Sequence, residues 1–163
     1  MPDRAPSLGR IVCAAHQARE RLYALTEARA LRDAFAPLGE ALWWLVIADR
    51  ILCEHADGYS DHYSSHAGQA LRGLRLARNV VAHGDNPTKV LGNEVSFFGR
   101  QGFPLRFAPD YLQWMAYEDL PELSKPPSPK VREGYVATLA GKPVLPTIDT
   151  AVSHVDAWWR ASA

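Results

Sequence analysis

Apolar residues return along this chain at helical intervals. Ile11, Ala15, Ala18, Leu22 and Leu25 follow one another at spacings of four and three, which predicts an amphipathic helix with Ser7 as its N-cap. Asp33 or Pro37 then opens a second helix, with Leu38, Leu42, Leu45 and Leu52 on one stripe and Trp43 and Trp44 beside it. This stretch is apolar nearly all round, the pattern of a helix central to a bundle, and both tryptophans are expected in core or edge packing. Asp57-Gly58 closes it. A third helix is expected from Ser64 or Ser65 to His83, where Gly84-Asp85-Asn86-Pro87 is a stop signal.

The pattern changes after Pro87. Glu94–Phe98, a turn at 99–102 and Phe103–Phe107 read as a β-hairpin. The hairpin's Phe97, Phe98, Phe103 and Phe107 exceed what one small hairpin can hide, so they are expected to dock on the bundle or on a partner. Tyr111 to Tyr117 suits a short helix or a strand. Val131 to Leu139 reads as a short helix ended by Gly141. Thr147 is expected to cap a last helix bearing Ile148, Ala151, Val152, Val155 and Trp159.

Proline placement agrees with this division. Of twelve prolines only Pro2, Pro6 and Pro37 precede residue 87. A proline inside a helix costs ~3 kcal/mol, so long helices are open to residues 7–36 and 38–86 and closed to much of the chain beyond them. The expectation is a mainly α fold, a bundle of four to five helices with a β-hairpin inserted after the third. In one domain over 1–163, residues 7–86 form the core helices, 88–129 the hairpin insertion and proline-rich connector, and 130–163 the C-terminal helices.

Charge and cysteine narrow the class. Eighteen basic and eighteen acidic side chains cancel, which argues against a disordered tail or a generic polycation. The longest apolar run, Ala41 to Ala48, is far below the ~20 residues of a membrane span, and Met1-Pro2-Asp3-Arg4 leads into no secretory segment. Cys13 and Cys53 make neither a disulfide framework nor a zinc set. They are expected to be buried, reduced thiols of a cytoplasmic protein.

The chemistry concentrates in Leu76-Ala77-Arg78-Asn79-Val80-Val81-Ala82-His83-Gly84. At ~100° per residue, Ala70, Leu74, Ala77, Val80 and Val81 share the core face, while Arg72, Asn79 and His83 cluster on another with Arg75 alongside. Arg78 lies at the border between the two faces. No acid occurs from His62 to Gly84, so Arg72, Arg75 and Arg78 make a local anion-seeking surface. At the helix C-terminus the dipole favours a charged His83 and the arginines oppose it, a balance suited to general acid–base work. Asn79, one turn earlier, is placed to orient the ring or hold a phosphate oxygen. Asp49 fills the gap in the second helix's leucine stripe, where a carboxylate must be paired; Arg78 is the expected partner. His62 and His66, with Asp61 adjacent, have zinc-compatible spacing but no third ligand, and read as residues of a helix start.

Arg78-Asn79-x-x-x-His83 resembles the R-[polar]-x(3–4)-H signature of HEPN domains, small helical domains found in many prokaryotic RNase toxins and defence proteins. The similarity covers about residues 7–86 and the final helix, and leaves the hairpin outside the usual core. It implies a metal-independent endoribonuclease of the toxin or defence kind, without cofactor, acting as a homodimer with RNA bound in the cleft between copies. Arg78 would stabilise the phosphorane charge, His83 would act as general base or acid, and Asn79 would position one of them. The ribose 2′-OH would attack phosphorus and leave a 2′,3′-cyclic phosphate. Asp49 would support Arg78, and Arg72 and Arg75 would contact RNA. The spacing also speaks for a dimer: Arg78 and His83 lie roughly 140° apart around one helix. The resemblance leaves room for a non-catalytic module that binds RNA or a nucleotide or serves dimerisation, and for an antitoxin protein as partner.

Overall fold

A computed structural model describes residues 5–25, 33–91 and 111–162. Among them the fold is mainly helical with one small antiparallel sheet. Helix α1 spans Ala5–Tyr23, α2 Phe35–His55, α3 His66–Ala82, α4 Pro129–Thr138 and α5 Val144–Ser162; strands β1, Thr88–Leu91, and β2, Tyr111–Trp114, lie between α3 and α4. A 3₁₀ turn, Tyr59–Ser64, joins α2 to α3. No helix among the described residues is long and apolar enough to cross a membrane.

The central position expected of the second helix is observed. α2 packs against α1, α3 and α5, burying Leu38, Ala41, Leu42, Leu45, Ala48 and Leu52. From α1 the same cluster receives Leu8, Val12, Ala15, Ala18 and Leu22, and from α5 Val144, Ile148, Ala151, Val152 and Val155. Trp43 and, at the helix start, Phe35 lie outside this core. Trp43 is 52% exposed, not packed in the core. Cys13 is likewise exposed and Cys53 half-buried, against the expectation of two buried thiols.

Helix starts follow two rules. Ser65 caps α3, its hydroxyl accepting from the Gly68 N–H at 3.2 Å, as a serine N-cap does. The starts of α1, α2 and α5 are not set by the expected cap residues. Ser7 lies inside the first turn of α1. α2 begins after Ala34, which makes no side-chain cap, and takes Pro37 into its first turn. α5 begins at Val144 and contains Pro146, so Thr147 does not cap it; its hydroxyl donates to the Pro143 carbonyl at 3.3 Å. A proline in a first turn removes an N–H that had no helical acceptor, so it need not delay the start.

Between α3 and α4 the strands pair antiparallel, from Thr88 opposite Trp114 to Leu91 opposite Tyr111. β2 is also fixed to the α4–α5 turn: the Trp114 N–H donates to Lys142 O at 2.9 Å, and the Gly141 N–H to Trp114 O at 3.1 Å. Tyr111–Trp114 is therefore the strand of the two alternatives the sequence left open. The hairpin expected at 94–107, with its four phenylalanines, lies outside the described residues.

Two glycines set the crossing of α3 and α4. A Cβ on Gly73 would stand 2.9 Å from Tyr135 Cα, and one on Gly134 would stand 2.7 Å from Gln69 O and 3.1 Å from Gly73 N. The two backbones therefore approach closely at this crossing, which seats α4 against α3.

Candidate functional site

Arg78, Asn79 and His83 come together on one cleft. Its volume is about 450 Å³, and α3 with its C-cap supplies Arg75, Arg78, Asn79 and His83 as one wall. The opposite wall is the segment from Leu123 to Ser128 that precedes α4, with Val131. Three permanent cations (Arg75, Arg78, Lys125) and one imidazole border it, and none of the lining residues is an acid. In a chain of zero net charge such a pocket selects anions. Arg72 is not in this lining. Its guanidinium lies over the Tyr63 ring, 4.2 Å from the centroid, and its Cβ faces Gly134.

His83 is held by the way α3 ends. The Gly84 N–H donates to Val81 O at 2.9 Å and the Asp85 N–H to Val80 O at 3.2 Å, with Gly84 at φ +86°. This is a Schellman termination, with glycine in the left-handed position and His83 as the C-cap. The histidine is exposed beside the cleft. Both Arg78 and His83 thus border one cleft within a single chain, so bringing them to one ligand does not require a second copy.

Asp49 is fully buried, and its partner is Arg75, not Arg78. Arg75 Nε and Nη2 donate to Asp49 Oδ2 at 3.0 and 2.6 Å. Tyr59 and Tyr63 hydroxyls each donate to Oδ1 at 3.0 Å. The register of the antiparallel α2–α3 pair explains the correction. Gly39 faces Val81, Trp43 faces Arg78 and Asp49 faces Arg75. Arg78 is therefore level with a residue six positions before Asp49, about 9 Å along the helix. Burial opposes the charge on Arg75, but the adjacent carboxylate and its hydrogen bonds outweigh it and raise the pKa above the ordinary value. Burial first pushes both tyrosine hydroxyls well above the usual range, followed by the Asp49 charge at Tyr59 and by the Cys53 hydrogen bond and then the Asp49 charge at Tyr63, so they remain donors. Cys53 Sγ completes the group 2.8 Å from the Tyr63 hydroxyl.

The pairing divides the arginines by task. Arg75 is neutralised by Asp49 and fixes the floor of the cleft. Arg78 has no carboxylate partner among the described residues; its Nε is buried without a hydrogen bond, and its guanidinium carbon lies 5.8 Å from the centroid of the Trp43 ring. The sequence reading missed three parts of the site: Lys125 with its proline-flanked segment, the two tyrosines of the 3₁₀ turn, and exposed Trp43. The four-residue spacing of Tyr59 and Tyr63 offered a signal; Lys125 offered none, because its segment has no periodicity.

His62 and His66 do not converge as ligands. His66 opens α3, whereas His62 stacks on His154 of α5 with ring centroids 4.4 Å apart. Among the described residues no three His, Cys, Asp or Glu side chains form a group able to hold a metal ion. The chain matches no family model, no curated protein and no solved structure.

Proposed function

We propose that this protein is a metal-independent endoribonuclease of the HEPN kind, and that the cleft between α3 and residues 123–128 binds the RNA backbone. The observation that carries the reading is the meeting of Arg78, Asn79 and His83 on one acid-free, cationic cleft. Its volume lies within the range of ~300–1,000 Å³ usual for ligand pockets. Arg78, without a carboxylate partner among the described residues, is available to a phosphate oxygen and to the charge that builds on phosphorus during attack. His83 takes or returns the proton of the ribose 2′-OH, and Asn79 positions one of these two groups. The 2′-oxygen bonds to phosphorus, the bond to the 5′-oxygen breaks with a proton delivered to it, and a 2′,3′-cyclic phosphate remains. This transfer needs proton movement and oxyanion stabilisation only, and calls on no metal and no cofactor. The homodimer and an antitoxin partner rest on the resemblance of the motif, and the cytoplasmic location on the cysteine usage.

The test is cleavage of RNA by purified protein in EDTA. We expect cleavage that is abolished by a 2′-deoxy substitution at the scissile nucleotide. His83→Ala should fold like the parent and lose at least ~100-fold in rate, the usual contribution of a general acid or base. A requirement for added divalent metal would refute the mechanism. Unchanged RNA binding by a parent protein that never cleaves would instead support the non-catalytic RNA-binding module.

A further inference from the structure

Trp43 departs from the pattern of the middle of α2, where Leu42 and Leu45 on either side of it are buried. Of the large apolar residues on α2 this indole is the most exposed, at 52%, ahead of Phe35 at the helix start. Its neighbour is Arg78, whose guanidinium lies within the ~6 Å that defines a cation–π contact. The same arginine lines the cleft with Asn79, His83 and Lys125. One residue thus joins two surfaces of different chemistry: an acid-free pocket for phosphate on one side, and a half-exposed indole on the other. A nucleotide has this same division, an anionic link joined to a planar base.

We propose that Trp43 is a binding residue for an unpaired nucleobase, which stacks on the indole while the phosphate joined to it sits at Arg78. This rests on the reading of the cleft as an RNA site and adds a requirement that the cleft alone does not impose. A base inside a duplex has both faces covered by its neighbours and cannot stack on the indole, whereas any unpaired base can, whatever its identity. Trp43 therefore selects strandedness and leaves sequence open. Arg78 contributes twice, because a guanidinium against the ring also fixes the plane on which the base lands.

Binding of a short 2′-O-methyl RNA, which lacks the attacking hydroxyl, tests this without turnover. Fluorescence anisotropy at one fixed salt concentration gives affinities for the single strand, for its duplex and for strands with one abasic position. Trp43→Leu keeps an apolar side chain and removes the aromatic face. It should weaken single-strand binding about 5- to 150-fold, the ~1–3 kcal/mol of one base–aromatic stack, and leave duplex binding unchanged. Trp43→Phe should recover part of the loss. An abasic position that weakens binding to the parent should cost nothing further in Trp43→Leu. Equal single-strand affinity in parent and Trp43→Leu would overturn the proposal while leaving RNA binding by the cleft intact. Equal affinity together with a smaller sedimenting species for Trp43→Leu would overturn it in favour of a second copy on this face. Failure of the parent to bind RNA at all would remove the reading of the cleft along with it.

Discussion

Burying a carboxylate costs several kcal/mol unless its oxygens are filled, and at Asp49 both are. Two tyrosine hydroxyls and both donors of a forked guanidinium reach it. Asp49→Ala would leave Arg75 and the hydroxyls facing an empty site. The expected loss is about 3 kcal/mol, the low end of the range for breaking a buried pair, because Arg75 retains some contact with water. Chemical denaturation of parent and variant measures it, and a loss below about 0.5 kcal/mol, the scale of an exposed pair, would contradict the geometry. That Asp49 needed a partner was legible, since it interrupts a leucine stripe. Which arginine answers was not. The position of Arg78 at the border of its own helix favoured it, but the pairing depends on the level at which α3 runs beside α2. The 3₁₀ turn between them sets that level, and nothing in its sequence declared it.

At the scale of elements, stripes of apolar residues predicted α1, α2, α3 and α5 because each buries one continuous face, and Ser65 and Gly84 marked the two ends of the helix that carries the motif. The second wall of the cleft escaped because prolines and serines in irregular order specify neither a period nor a neighbour. The physical clue to it was Gly73, an interior glycine that a helix of this length tolerates only for close packing. Gly73→Ala would gain ~1 kcal/mol of helix propensity. The added methyl would however meet Tyr135 backbone atoms at 2.9 and 3.0 Å, which cannot swing aside as a side chain does. Overpacking of this kind costs ~1–3 kcal/mol, so we expect net destabilisation of about 1 kcal/mol by urea titration. Weaker RNA binding should accompany it as α4 is pushed from α3. A stabilised variant would mean the helices separate freely.

For the whole molecule, acid is the informative variable. His154 stands against His62, Tyr59 and Trp158, and its Nε2 and that of His62 are buried without hydrogen-bond partners. Burial and, after it, the facing His62 lower the His154 pKa, with distant help from Asp49 in the other direction. The unfolded chain therefore binds a proton near the ordinary ~6.5 where the folded one does not. Stability from this ring is complete above that pH and falls as pH drops from ~6.5 toward the lower folded value. His154→Phe keeps the stacked ring and removes the titration. Between about pH 7.5 and 5.5, spanning that ordinary value, the parent should lose more stability than the variant. Parallel losses in the two proteins would show that the pair carries none of the acid sensitivity.

The pairing of Leu91 with Tyr111 has a consequence for how such a chain can diversify. Everything between those residues departs from and returns to one point on the bundle. Loop closure there is already achieved by the ladder, and lengthening a closed loop adds only ~0.6 kcal/mol per doubling. An insertion between Leu91 and Tyr111 therefore adds little closure cost to the fold. Evolution is thus free to alter the length of chain between these two ends, like a tool changed at a fixed chuck.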